Sequence, residues 1–165
     1  MTAALAFPFH PSAAPVHYGV QAQAVDAHLF NVALQIAKPA VDQEVSLPVW
    51  IPGSYLVREF SKNLQGLTAT QDGQPVVVEQ LSKNRWKLHC TSQSPLTLTY
   101  QVSAYDNSVR TAWLDSRRGF FNGTSLFLRV HGQEDRPCSL LIAATEATRR
   151  WSLATALASI AVASQ

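Results

Sequence analysis

Along most of the chain apolar and polar residues alternate with period two, and a 3.6-residue period is nearly absent. Phe30, Val32, Leu34 and Ile36 fall on one side of an extended run whose other side carries Asn31 and Gln35, the pattern of a half-buried strand. Tyr18, Val20, Ala22 and Ala24 alternate in the same way with Gln21 and Gln23, so the two runs predict a hairpin joined around Val25 to Ala27. Leu96, Leu98, Tyr100 and Val102, interleaved with Thr97, Thr99, Gln101 and Ser103, predict a further strand, and Leu126 to Val130 predicts another with both faces partly apolar. Asp72-Gly73, where glycine supplies the positive φ of a tight turn, predicts a hairpin between Leu67–Gln71 and Pro75–Leu81. Arg85 to Cys90, Cys138 to Thr145 and Arg150 to Leu157 complete about ten short strands. Many short strands separated by Gly, Pro and Asn predict an all-β fold, an antiparallel β-sandwich or open barrel.

The 165 residues suffice for one hydrophobic core. Pro8, Pro11 and Pro15 break up the first residues, so 1–15 reads as a flexible N-terminal segment and 16–165 as a single β-sandwich domain. Thirteen Lys and Arg against eleven Asp and Glu are scattered without a basic stripe, which argues against nucleic acid as a partner. Charged residues are only 15% of the chain, and a surface so short of charge is compatible with a permanent partner covering part of it. The N-terminal segment lacks the Lys or Arg of a signal peptide, and the apolar stretch from Trp151 to Ala163 falls short of the ~20 residues that span a bilayer. A soluble, cytoplasmic protein without a membrane partner is the expectation. From Trp151 the chain runs apolar to Gln165 with no turn signal or charged tail, which suggests a domain cut from a longer, multidomain chain.

Catalytic patterns are mostly missing. Cys90 and Cys138 form no CxxC pair and their pairing with each other stays open, and none of the five histidines stands at zinc-helix spacing. The chain contains no G-x-S-x-G elbow, P-loop or GxGxxG. Asp26 and His28 would share a strand face, and Asn122-Gly123-Thr124 matches the glycosylation pattern by chance.

Two segments depart from plain alternation. In Leu47-Pro48-Val49-Trp50-Ile51-Pro52-Gly53-Ser54-Tyr55-Leu56-Val57-Arg58-Glu59-Phe60, the prolines interrupt extension and Gly53 permits a sharp turn with Trp50 and Tyr55 on either side. In Asp115 to Ser125, Arg117, Arg118, Phe120, Phe121 and Asn122 are crowded together, and aromatics beside arginine are the material of interface hot spots. Alternation back from Leu126 places Asn122 on the face opposite Phe121, with its amide outward, where its oxygen could accept from a peptide's α-amino group; alternatively Asn122 only turns the chain.

The Leu47–Phe60 string, the Tyr105-Asp106-Asn107-Ser108-Val109-Arg110 run and Arg118-Gly119-Phe120-Phe121-Asn122-Gly123-Thr124-Ser125-Leu126-Phe127 together resemble the amino-terminal domain of the glycyl aminopeptidase family. The resemblance runs from about Val16 to Ala163. It implies a β domain preceding a thermolysin-like zinc peptidase domain with HExxH and, further on, a PDZ domain. Neither the HExxH histidines nor the catalytic glutamate is in this chain, so it carries over no catalytic residue and no metal ligand, and zinc is expected only in the catalytic domain. The implied role is accessory: this domain packs on the catalytic domain of its parent chain and helps wall the peptide cleft, with Trp50, Tyr55, Arg58, Glu59, Arg117, Arg118, Phe120, Phe121 and Asn122 facing the interface or cleft. Two other readings remain open. One is a free-standing β-sandwich module binding sugar or peptide on Trp50, Tyr55, Trp113 and Phe120; the other is self-association through an exposed sheet edge.

Overall fold

The computed structural model describes Phe7 and residues 14–160. The first hairpin forms as the alternation predicts: β1 (Val16–Ala24) runs through a 3-10 turn at Val25–Ala27 into β2 (Leu29–Ile36), and the two pair antiparallel. After β3 (Asp42–Ser46) comes a long loop, closed by a 3-10 turn at Phe60–Asn63. The order continues with β4 (Leu64–Gln71), β5 (Gln74–Pro75), β6 (Val77–Ser82), β7 (Arg85–His89) and β8 (Leu96–Ser103). The last part comprises β9 (Ala112–Leu114), β10 (Gly119–Phe121), a single helical turn α1 (Gly123–Leu126), β11 (Arg129–Val130) and β12 (Cys138–Ala143).

These strands build a six-stranded sheet in the order β12-β1-β2-β8-β4-β5, a four-stranded sheet in the order β11-β3-β7-β6, and a two-stranded ribbon of β9 and β10. The fold is an all-β sandwich, and neither sheet closes into a barrel. The core lies between the inner faces. β8 shows the cause most plainly, because Leu96, Leu98, Tyr100 and Val102 are buried while the residues between them are half-exposed. Leu98 stands between Leu34 of β2 and Ala69 of β4, all three buried.

Asp72 and Gly73 both take positive φ, 50° and 74°, as a two-residue hairpin turn requires. The strand after it does not run on as one piece. β5 stops at Pro75, the Val76 amide donates to the Ala69 carbonyl, and Val77 begins β6 in the opposite sheet. Val76 is buried at this crossing, a corner where one strand is shared between two sheets.

Other expectations are corrected. β12 pairs with β1 parallel, so the sandwich is not wholly antiparallel. Arg150–Leu157 forms no strand: Trp151 tucks against the core and the residues after it are exposed. Leu126–Val130 is not one strand either. Leu126 ends the helical turn, only Arg129–Val130 pair with β3, and the backbone between is held by two tyrosines of the six-stranded sheet. The Tyr18 hydroxyl donates to the Leu128 carbonyl at 2.8 Å and the Tyr100 hydroxyl to the Leu126 carbonyl at 2.7 Å. Burial raises the pKa of both phenols, so they remain neutral donors.

Asp26 and His28 do not pair. His28 sits in the left-handed region at φ 54° and its Nδ1 bonds the Leu114 carbonyl, which ties the first hairpin to β9. Within the segment 1–15, the described Phe7 packs on Gly19, where any Cβ would come within 2.5 Å of its ring. The other residues up to 13 lie outside the described residues, as do 161–165 at the far end of the apolar stretch. Cys90 and Cys138 are both free thiols. Among the described residues no helix is long and apolar enough to cross a membrane.

Candidate functional site

The two irregular segments meet at their bases. α1, which ends the second motif, packs against the 3-10 turn that ends the first, and β11 continues from α1 to pair with β3, from which the first loop springs. The Tyr105–Arg110 run is bonded to the second motif and its strand β9: the Asp106 amide donates to the Ala112 carbonyl at 3.0 Å, and the Asn107 side-chain oxygen accepts from Arg118. The Thr111 hydroxyl foremost, then the Ser108 groups, hold the Asp106 carboxyl below its usual range, with the Lys62 ammonium adding least. Three sequence motifs far apart in the chain thus share one end of the sandwich.

The first loop is ordered by its own polar groups. Arg58 donates its amide to the Val49 carbonyl at 2.6 Å and its Nε to the Ser54 hydroxyl at 3.2 Å. The Trp50 indole donates to the Ser54 carbonyl at 2.8 Å, and the Ser54 hydroxyl in turn donates to the Leu56 carbonyl. Ile51 and Phe60 anchor the loop in the core. This leaves Trp50 52% and Tyr55 104% exposed, beside exposed Leu56 and Val57. Glu59 pairs with Lys83 at 3.2 Å, both largely in solvent, where such a pair contributes little.

Gly53 takes φ 80°, as the turn was expected to require, and nothing lies within 4 Å of where its Cβ would be. Gly53→Val should therefore destabilise through backbone strain alone, by roughly 1–2 kcal/mol, with Gly53→Asn less costly because asparagine tolerates the left-handed region. Thermal unfolding of the two variants checks this; equal midpoints for valine and wild type would mean the turn rearranges freely.

The second motif forms the β9–β10 ribbon. Gly119, Phe120 and Phe121 stand opposite Leu114, Trp113 and Ala112. Leu114 and Ala112 are buried, and Phe121 packs edge-on against Phe30 and Phe127, whose ring meets Tyr18. Phe120 points the other way and is 42% exposed, so one phenylalanine enters the core and its neighbour does not. The turn between the strands is organised by Asp115, whose carboxylate accepts from the Trp113 indole at 2.9 Å and from the amides of Arg117 and Arg118. Those bonds, the indole first, lower the Asp115 pKa to about 2. Arg117 and Arg118 are exposed, and Arg118 donates to the Asn107 side-chain oxygen at 2.8 Å.

Asn122 does not continue a strand alternation. It is the N-cap of α1, and its side-chain oxygen accepts from the Thr124 amide at 3.2 Å and the Thr124 hydroxyl at 2.7 Å. With both lone pairs of that oxygen engaged, the outward amide donors have the wrong polarity for an ammonium, and the geometry favours the turn-forming role. Asn122→Ala should cost about 0.5–2 kcal/mol and Asn122→Ser far less, since serine also caps. Denaturant midpoints of the two variants test this; equal loss in both would remove the cap from the account.

The alignment of Thr111 was not visible in the sequence: its carbonyl accepts from the Asn122 amide and the Ser125 hydroxyl, fixing the ribbon to α1. Buried Gln43 and Gln71 were missed as well. Gln71 bonds the carbonyls of Ser92 and Ser94 and the amide of Thr91, and Gln43 the carbonyls of Glu44 and His131, so each pins a loop. Nothing in the local pattern separates these glutamines from their solvated neighbours.

Among the described residues no three His, Cys, Asp or Glu side chains are grouped to hold a metal ion. The nearest arrangement is His89, whose Nδ1 meets Asp42 at 2.8 Å and whose Nε2 meets Glu79 at 3.0 Å. Both ring nitrogens are engaged, and the carboxylates, Glu79 foremost, raise the histidine's pKa. This trio, with both imidazole nitrogens already bonded to carboxylates, does not fit a zinc site.

In class, the chain is an all-β sandwich with ordered, aromatic-rich loops at one end. A model of the Peptidase M61 N-terminal domain matches residues 17–164, and the chain belongs to this family. A crystal structure of an aminopeptidase N family protein from Idiomarina loihiensis is similar over 81% of the chain, at 49% identity and a TM-score of 0.78. That match takes up 22% of the other protein, so this chain spans about a fifth of its length. An M1 zinc metallopeptidase from Deinococcus radiodurans matches at 12% identity and a TM-score of 0.39 over 68% of this chain and 26% of that one, too remote to carry an argument. No curated protein sequence matches.

Proposed function

We propose that this domain is the non-catalytic amino-terminal module of a zinc-dependent aminopeptidase, packing on the catalytic domain of its parent chain and helping to wall the cleft that receives the peptide. The convergence of three motifs on one end of the sandwich, with Trp50, Tyr55 and Phe120 exposed on otherwise ordered backbone, is the observation that carries the reading. Large aromatics on preordered turns lose little entropy on docking. Hydrolysis belongs to the remainder of the parent, which brings the zinc and the activated water. This chain's own residues contribute position: Arg58, Ser54 and Gly53 hold Trp50 and Tyr55, and Asp115 and Asn122 hold Arg117, Arg118 and the two phenylalanines.

Purified as 165 residues, the chain should turn over no aminoacyl-nitroanilide and hold no stoichiometric zinc. Metal analysis and that assay decide it, and one tightly bound zinc per chain with turnover would end the accessory reading.

A further inference from the structure

The outer face of the six-stranded sheet is polar, without lysine, arginine or carboxylate, along most of β1, β2 and β8. His17 stands beside Ser139 and Gln35, and Gln21 beside Asn31, which is followed by Gln101. Side-chain bonds tie these rows together, His17 to Ser139 at 2.6 Å and Gln101 to Asn31 at 2.9 Å. Between them runs a row of another kind. Leu141 of β12, Gly19 of β1 and Ala33 of β2 stand side by side in register on the same face. Ala33 faces outward, opposite in direction to Val32 and Leu34, yet it is fully buried, and Gly19 is buried too.

The backbone does not require glycine at position 19. Gly19 lies inside β1 and does not take positive φ. A glycine in a strand interior weakens the strand, because it loses more conformational freedom on folding and offers no side chain to pack. What it permits here is the close approach of a ring. A Cβ at Gly19 would meet atoms of Phe7 at 2.5, 2.9 and 3.2 Å, and these are the nearest atoms around it. Gly19 and Ala33 together make a shallow notch across two strands, and the ring sits over it. Pro8, Pro11 and Pro15 lie between Phe7 and β1, and their fixed φ angles reduce the freedom that the stretch loses when Phe7 seats. The Pro15 carbonyl accepts from the Ala37 amide at 2.9 Å, which secures the other end of the stretch beside the end of β2.

We infer that the N-terminal segment is a strap fastened to the outer face of the six-stranded sheet, with Phe7 as its knob and the Leu141–Gly19–Ala33 row as a seat for one aromatic side chain. The strap covers a small apolar row on a face that is otherwise polar, and it fastens on β1, the strand that holds β12 in its parallel pairing. Because the knob belongs to the same chain as the seat, a short tether keeps it at high effective concentration, and one ring is enough to hold it.

A double-mutant cycle in the 165-residue chain tests the seat, with Phe7→Ala, Gly19→Ala and the pair compared by urea midpoint. With Phe7 present, Gly19→Ala should lower the midpoint, since the new methyl group takes the place of the ring. In the Phe7→Ala background the same substitution should raise it, since alanine is the better strand residue once the ring is gone. A shift of the same sign and size in both backgrounds would overturn the inference. Chymotrypsin cleavage at the Phe9–His10 bond, followed by mass, tests the strap under folding conditions. Cleavage should be about tenfold faster in both single variants than in the unsubstituted chain, as the open population rises. Gly19→Ala leaves the sequence of the segment intact, so faster cleavage in that variant reports unseating alone. Equal rates in the three chains would overturn the strap.

Discussion

Leu98→Ala is expected to destabilise the domain by about 2–5 kcal/mol, because Leu98 is fully buried between Leu34 and Ala69 and the methyl groups it loses leave a cavity that two flanking strands hold open. The strand neighbours cannot collapse inward without breaking ladder bonds on both sides, so little of the void is recovered. Thr99→Ala, one residue on and on the outer face, removes only the 2.9 Å hydroxyl contact with Thr68 at an exposed position and should lie within about 0.5 kcal/mol of wild type. Urea unfolding of the two variants measures the contrast. Similar losses at both positions would mean that the inner face of β8 is not the centre of the core.

Tyr100→Phe should cost about 1–3 kcal/mol although it removes a single oxygen. The hydroxyl donates to the Leu126 carbonyl and accepts from the Leu128 amide, and both bonds are buried. Phenylalanine keeps the packing and leaves those backbone groups without partners in a site closed to water. The effect should concentrate on the segment after α1, with faster amide exchange at Leu128, whereas the β2–β8 ladder keeps its protection. Tyr18→Phe should be milder, since the Leu128 carbonyl lies in a partly buried setting. A Tyr100→Phe variant as stable as wild type, with Leu128 exchange unchanged, would show that the segment is held by packing alone.

The two substitutions separate what each level of structure contributes. Leu98 is legible in the sequence because a strand turns successive side chains to opposite faces, and the alternation from Leu96 to Ser103 states which face is buried. The Asp72-Gly73 turn is legible for a similarly local reason: a two-residue hairpin needs positive φ, and glycine provides it without steric cost. The same holds for Gly53. Tyr100 carried half a signal. A phenol on the inner face must find a partner, but alternation does not say that the partner is backbone twenty-six residues on.

The sequence by itself determined the all-β class, the first hairpin, β8, the Asp72-Gly73 turn and, through three motifs, the family. Those features rest on local geometry or on strings of residues read in order. Only the tertiary structure decided that β12 lies parallel beside β1, that the strand after Gln74 changes sheets at Val76, and that Leu126–Val130 is a helical turn and a short bridge instead of a strand. It also decided between the two readings of Asn122, which caps that turn. For the strand pairings and the Leu126–Val130 segment the physical reason is common: each turns on which distant backbone group satisfies a buried donor or acceptor, and that pairing depends on how the two sheets sit face to face, which no period along the chain records.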